Sequence, residues 1–380
     1  MSRGPISQGP ILFLGCLPFG PIRQRPHHLA EEMARGGKVL YVEPHRSLLR
    51  RPEPTGSRVA PAARRGPLEI LTPPPALPFS GYLPAVNRWN YARTAGRIRR
   101  RLLDLGWQEP RAIVAGFPKQ VDLLDHFADV PVCYDVMDDY PLFFGLRQRA
   151  VIARLHRRLL RRADVVAAAS DTLAERCRGV ARRIVRVANG VSPAFHEACA
   201  TVEADPAVLA LPAPRLGYVG TIDRWLDFDV LGLLARAFPE GSVVVVGPET
   251  RAAPELPPNV HLVGGRPHDA LPAILRALDA GLVPFKRTPL TDAVNPVKVY
   301  EYLSAGLHVL SADIAGVAEF GEMVSVCTTP DAWVSAARQA VGRSTRPGAD
   351  ARRTFAANHL WPDRARAILQ AIEEAGAARG

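Results

Sequence analysis

The chain has 380 residues, 47% of them hydrophobic and 22% charged, enough apolar material to bury two cores rather than one. No apolar run reaches membrane-spanning length, the first residues lack the basic, apolar and small-residue regions of a signal peptide, and the five cysteines are scattered without a Cys-x-x-Cys. These features argue against a membrane-embedded, disulfide-stapled or zinc-held protein, and a cytoplasmic one with Cys16, Cys133, Cys177, Cys199 and Cys327 as packing residues is expected.

Charge is unevenly spread. Residues 1–200 hold 31 Lys and Arg against 17 Asp and Glu, whereas the remaining 180 hold 17 against 20, within an overall net of +11. Taken in chain order, short β-branched runs alternate with helical patterns. The first series is Ile11–Cys16, Lys38–Glu43, Leu68–Leu71, Arg111–Ala115, Val132–Val136, Asp164–Ala168 and Arg183–Val187. Residues 46–66 are Arg/Pro-rich and read as a mobile loop. Much of the positive excess lies in Arg93–Arg101 and Arg147–Arg162, the latter with Leu146, Leu155 and Leu159 as a core-facing stripe. Two readings stay open for it: a solvated arginine face, or peripheral docking on the anionic inner face of a membrane, where each cation adds about 1 kcal/mol.

A Pro/Ala-rich segment at 201–214 divides the chain. Beyond it come Leu216–Val219, Ser242–Val246, Val260–Val263, Gly281–Val283, His308–Ser311 and Val324–Cys327. Near-continuous apolar strands separated by helices mean parallel sheets covered on both faces, so the expected class is α/β, two doubly wound domains at 1–200 and 215–360 facing one another.

In open sheets of this kind ligands bind beyond the carboxyl ends of the strands. Gly220-Thr-Ile-Asp-Arg224 follows the first strand of the second domain, with a glycine for close backbone approach and an arginine for an anion. Gly264-Gly265-Arg266-Pro-His268 follows the third, its glycines leaving peptide groups open to the edge of a base. The most informative stretch is Asp292–Gly306, where Asn295 is expected to cap a helix and Pro296 to open it. Lys298 then falls at the third helical position, beside bare N–H groups carrying about half a positive charge. A cation is disfavoured there unless an anion lies between, and a phosphate fits. Glu301, one turn on, is placed to accept hydrogen bonds from paired hydroxyls such as those of a ribose. The bland alternative is a surface Lys/Glu pair, yet three small or cationic strand-end loops on one sheet favour a nucleotide-diphosphate site. Asp227-Phe-Asp229 imitates a metal-binding Asp-x-Asp, but it precedes a helix expected over Val230–Phe238 and reads as its N-cap. Thr172-Leu-Ala-Glu175 reads as a capping box.

The order of motifs resembles the GT-B glycosyltransferases, specifically the retaining group 4 and relatives in teichuronic acid and other polysaccharide synthesis. The resemblance rests on Phe19-Gly-Pro-Ile-Arg-Gln-Arg-Pro-His-His-Leu-Ala30, Val39–Pro44, Tyr134-Asp-Val-Met-Asp-Asp-Tyr140 and Val187-Ala-Asn-Gly-Val-Ser192. It continues through Asn259–Arg266, Leu271-Pro272, Pro284-Phe285 and Asn358-His-Leu-Trp361, nearly the whole chain. It implies a GT-B fold whose last segment, 361–380, packs back towards the first domain. The implied activity is transfer of a hexosyl group from a nucleotide-diphosphate sugar, with uridine as the nucleotide, to an acceptor hydroxyl.

By the same resemblance Glu301 holds the ribose, the Gly265/Arg266 backbone meets the base, and Gly220, Lys298 and Arg224 bind the diphosphate beside Asn295, with Gly20 and Arg23 on the opening loop between donor and acceptor. No cofactor or metal is implied beyond the nucleotide sugar as co-substrate. The acceptor, whether a glycan, a lipid-linked intermediate or a small molecule, stays open. One departure stands out: the family's second acidic residue, eight positions before the ribose-binding one, is here Ala293 with Asp292 beside it.

A retaining reaction needs no protein nucleophile, and none is evident. An inverting one would need a general base in the first domain, for which His27, His28, Asp138 and Asp139 are candidates, the histidines also reading as helix-surface residues and the aspartates as loop caps. Two other classes fit less well: a nucleotide-sugar epimerase of the same fold, and a non-catalytic polyanion- or membrane-binding protein. Nucleic acid is not expected as a partner, since no helix-turn-helix, zinc finger or aromatic-interleaved basic run occurs.

Overall fold

The computed structural model describes residues 9–20, 23–48, 67–80, 82–342 and 348–377. The loop expected over 46–66 lies outside the described residues from 49 onward. Each of the thirteen apolar runs forms a strand. Strands β1 Ile11–Leu14, β2 Val39–Val42, β3 Leu68–Leu71, β4 Ala112–Ala115, β5 Val132–Val136, β6 Val165–Ala168 and β7 Ile184–Arg186 form one sheet in the order β3-β2-β1-β4-β5-β6-β7. Strands β8 Arg215–Val219, β9 Ser242–Val246, β10 Val260–Gly264, β11 Ala280–Val283, β12 Val309–Ala312 and β13 Val324–Cys327 form the second, in the order β10-β9-β8-β11-β12-β13.

Neighbouring strands pair in parallel throughout both sheets. The central strands β1, β4, β9 and β12 are buried at every position, because helices cover both faces and each side chain must find apolar neighbours. The chain divides into two compact units, one of residues 1–188 with 362–380 and one of 189–361, and it passes from the second back to the first inside the last helix, Trp361–Ala377. That helix is tied within the first unit by Arg183 to Glu374 and by Arg111 to Glu373 at 3.6 Å. In each sheet the strand order reverses between two central strands, β1 and β4 in one and β8 and β11 in the other. Beyond the carboxyl ends of such a pair the loops diverge to opposite faces and leave room for a ligand.

Two local expectations change. Leu146 opens the helix Leu146–Arg162 but is 85% exposed, while Leu155 and Leu159 are buried; the stripe rotates off the core at the first turn. The helix expected to open at Thr172 starts at Asp171 and is capped by Ser170, whose hydroxyl accepts from the Leu173 N–H at 3.2 Å, a better geometry because Ser170 ends an extended segment. Asp227 does cap Phe228–Ala237, accepting from the Asp229 N–H at 3.1 Å.

Candidate functional site

The helix Val297–Ser304 starts one residue later than the sequence suggests, with Pro296 as N-cap and Lys298 second in the helix. Asn295, expected as the cap, is buried and used elsewhere. Its side-chain oxygen accepts the Asn189 backbone N–H at 2.8 Å, its own carbonyl accepts from the Asn189 side chain at 2.5 Å, and its side-chain nitrogen donates to Glu319. A buried N–H at Asn189 needs an acceptor, and that demand outweighs a cap. No side chain caps the helix, so its first amides remain bare beside Lys298.

The Lys298 ammonium lies 5.1 Å from the centre of the Tyr218 ring and 4.5 Å from that of Phe285. Tyr218 belongs to β8 and Phe285 follows β11, which puts the charge at the switch point of the second sheet. Among the described residues it makes no salt bridge. The rings hold a cation over their negative faces without neutralising it, and burial pushes its pKa down to about 8 against the opposing pull of Glu301. Gly220 adjoins it with φ of 151°, and a Cβ there would come within 3.0 Å of Lys298 Cε. Gly247 has φ of 159°, and a Cβ on it would lie 1.9 Å from the Gly220 carbonyl oxygen. Both positions therefore demand glycine, and the backbone at the strand ends is left open next to the ammonium.

Glu301 is buried one turn along the same helix, and its Oε1 pairs with His268 Nε2 at 2.8 Å, so one carboxylate oxygen is taken and the other has no partner among the described residues. The His268 ring packs on Phe195 with centroids 4.8 Å apart. The sequence marks His268 only as the end of a backbone loop, since a partner 33 residues away leaves no local signal. Gly265 and Arg266, which precede it, are exposed, as is Arg224 on the turn after β8. Tyr302 fixes the helix to the sheet, accepting the Val219 N–H at 2.8 Å and donating to the Leu282 carbonyl at 3.2 Å. Ala293 is fully buried, and the Asp292 carboxylate lies 3.8 Å from Arg287.

In the first unit the ends of β1 and β4 are stitched by Gln120. Its amide nitrogen donates to the Leu14 and Gly15 carbonyls at 3.2 and 3.0 Å, and its oxygen accepts from the Gly116 and Phe117 N–H groups at 2.9 and 2.8 Å. Below the end of β5, Arg25 and Asp135 form a buried ion pair at 2.7 Å, and Arg25 also donates to the Ala188 carbonyl at 3.1 Å. Asp138 follows, half-buried. Among the described residues its carboxylate makes no hydrogen bond, and burial raises its pKa to about 7, with Arg25 opposing and Asp139 and Asp135 adding to the rise. Asp139 is engaged by Arg176 at 2.5 Å.

His27 and His28 are not on the helix surface but buried. The His27 Nδ1 accepts the Gln24 N–H at 3.1 Å and its Nε2 meets the Pro18 carbonyl at 3.0 Å, the arrangement of a neutral ring closing the start of the helix Arg25–Arg35. Burial and Arg23 push its pKa down to about 4. No ring nitrogen is left to take a proton from a substrate, so the candidate base becomes a helix brace. Arg23 stacks over Phe19 at 4.6 Å and pairs with Glu31 at 3.1 Å, beside the partly exposed Gly20. Burial raises the Cys133 thiol far above its ordinary pKa and those of Cys16 and Cys199 to about 12, as packing residues require.

No family model matches the sequence. Over 177 residues, 44% of this chain, it is 27% identical to a protein of Bacillus subtilis (strain 168) provisionally described as a teichuronic acid biosynthesis glycosyltransferase; the matched region spans 45% of that protein, less than half its length. Solved structures cover nearly all of the chain. Sucrose-phosphate synthase from Thermosynechococcus elongatus aligns over 97% of this chain and 100% of its own with a TM-score of 0.70 at 15% identity. Anabaena HepE in complex with UDP and glucose aligns over 96% and 99% with a TM-score of 0.67 at 16% identity. The E. coli trehalose-6-phosphate protein bound with UDP-2-fluoro glucose aligns over 97% and 97% with a TM-score of 0.62 at 13% identity. The fold is that of the GT-B group, two Rossmann-like parallel-sheet domains.

Proposed function

We propose that this chain transfers a sugar from a nucleotide-diphosphate sugar, with UDP as the nucleotide, to an acceptor hydroxyl, with retention and without a metal. The observation that carries the reading is Lys298: a half-buried ammonium with no carboxylate partner among the described residues, beside bare helix amides at the switch point. A cation left unpaired there costs stability unless an anion completes it. The likeness to structures solved with UDP and with UDP-2-fluoro glucose supports the same ligand class.

The chemistry follows from the charges. The bond from the anomeric carbon to the β-phosphate oxygen breaks with its electron pair on the phosphate, and Lys298 with the amides of Val297–Ser304 meets the charge that develops. The acceptor oxygen bonds to the same face of that carbon, and its proton passes to the departing phosphate. The free oxygen of Glu301 takes a ribose hydroxyl, and His268 holds its partner oxygen in place. Gly265 and Arg266 lie one loop away, where the base would meet backbone. In the first unit Asp138 is the group assigned to the acceptor hydroxyl, because its carboxylate is otherwise unengaged among the described residues.

Calorimetric titration tests the site. Lys298→Ala should weaken UDP by roughly 10- to 100-fold, the worth of a charge-assisted hydrogen bond, while uridine binding stays near the parent value. Equal losses for uridine and UDP, or no loss for either, would remove the assignment. A panel of nucleotide sugars, followed for release of nucleotide with and without candidate acceptors, tests the activity itself.

A further inference from the structure

The first unit exposes large apolar side chains that neither core uses. Phe79 is 63% exposed, Tyr82 45%, Leu83 52% and Trp89 47%, in the turn between β3 and the helix Pro84–Asp104 and in that helix's second turn; Leu146, at 85%, starts the helix Leu146–Arg162. They belong to one surface. The Tyr82 hydroxyl accepts from the Gln148 side chain at 2.9 Å, so the aromatic turn adjoins the start of the second helix. Asp122 then clamps the two helices together, one oxygen accepting from Asn87 at 2.6 Å and the other pairing with Arg158 at 2.8 Å.

The turn is built, not loose. Tyr82 and Leu83 N–H groups both bond to the Phe79 carbonyl, at 2.8 and 2.9 Å, and Phe79 has a positive φ of 65°. A left-handed conformation is strained for a phenylalanine, and the turn bears that strain while holding the ring out in solvent.

The charge around this surface has one sign. No Asp or Glu occurs between Glu69 and Asp104, nor between Asp139 and Asp164. Arg93 lies over the Trp89 ring at 4.7 Å, while Arg88, Arg97, Arg100, Arg149 and Arg154 occupy exposed helix positions and make no salt bridge among the described residues.

We propose that this face docks on an anionic lipid bilayer, with Phe79, Leu83 and Leu146 entering the boundary of the acyl chains, Tyr82 and Trp89 at headgroup level, and the arginines against lipid phosphates. This gives the positive excess of the first 200 residues a definite surface. Aromatic rings with polar tips suit the interface between water and hydrocarbon, and long arginine stems reach past inserted residues to the charged headgroups. Nucleic acid would match the arginines and stack on the rings, but it has no use for exposed leucines. The surface does not depend on Lys298 or on sugar transfer.

Co-sedimentation of the full chain with vesicles tests this. The parent should bind phosphatidylcholine vesicles containing phosphatidylglycerol, and bind phosphatidylcholine alone at least about tenfold more weakly. The triple variant Phe79→Ser, Trp89→Ser, Leu146→Ser should bind the anionic vesicles about a hundredfold more weakly, and Arg88→Glu with Arg97→Glu about thirtyfold. Circular dichroism melting should be unchanged, since all five side chains are exposed. The proposal is overturned if the parent ignores vesicles, if it binds both kinds equally, or if the serine variant binds as the parent does. It is also overturned if duplex DNA binds the parent and serine variant alike and displaces the vesicles. The same holds if the face proves to be a self-association surface, seen as a dimer that the serine variant loses and that does not bind lipid.

Discussion

Lys298 and Asp138 are both titratable groups held away from their ordinary pKa values by burial, one in each unit, the lysine shifted down and the aspartate up. The free Lys298 ammonium has its pKa near 8, and a bound diphosphate favours the charged form. UDP affinity should therefore hold as pH rises towards 8 and fall above it, by up to about tenfold per pH unit. Titrations in buffers of different ionisation enthalpy should register proton uptake on binding in the same range; a flat profile through pH 9 would show that Lys298 does not face the diphosphate.

Asp138 is pushed up from 3.8 to about 7, so the folded chain holds a proton there that the unfolded chain has released. Its contribution to stability is fully present below pH 4 and is lost as pH rises through about 7. Asp138→Asn removes that dependence. Urea unfolding should find the variant more stable than the parent above pH 7 and equal to it near pH 4. If the acceptor hydroxyl uses this carboxylate, turnover with acceptor should drop in the same variant while UDP binding stays unchanged.

At the scale of elements, the helix Val297–Ser304 carries both groups proposed to hold the nucleotide, Lys298 and Glu301, and Tyr302 sets its height over the sheet. Its hydroxyl serves the Val219 N–H one residue before Gly220 and the carbonyl of Leu282. Tyr302→Phe leaves that buried N–H without an acceptor and should cost about 1 to 3 kcal/mol in denaturant unfolding. Because Gly220 and Lys298 move with the same support, UDP affinity should fall as well; a variant destabilised with unchanged affinity would mean the loop is held by other contacts. Much of this element was legible beforehand: Lys298 and Glu301 share a face because they are one turn apart, which spacing alone dictates. The role of Asn295 was not, since the N–H it satisfies belongs to Asn189, 106 residues earlier.

At the scale of the molecule, two separate parallel sheets with separate cores divide the labour: the candidate donor site belongs wholly to residues 189–361, and the exposed apolar and arginine-rich face belongs wholly to the first unit. Ligand binding should then stabilise the second unit directly, by about 2.7 kcal/mol at a UDP concentration a hundredfold above its dissociation constant. Hydrogen exchange read by peptide should slow with UDP at Gly220, Gly264–His268 and Val297–Ser304, and Lys298→Ala should abolish that slowing. Exchange unaltered in all three segments would place the nucleotide elsewhere.

All thirteen strands and both doubly wound sheets were determined by the sequence alone, because an apolar run between turn residues reports its own burial and needs no distant partner. The same holds for the charge asymmetry and for the cationic helix start at the switch point. Only tertiary structure decided which polar groups are consumed and which stay available. His27 is buried as a brace, Asp135 is claimed by Arg25 from 110 residues away, Glu301 shares its carboxylate with His268, and the leucine at the head of an arginine-rich helix turns out to solvent. Hydrogen bonds and ion pairs between residues far apart in the chain exist only once both sheets are assembled, so no local pattern records them.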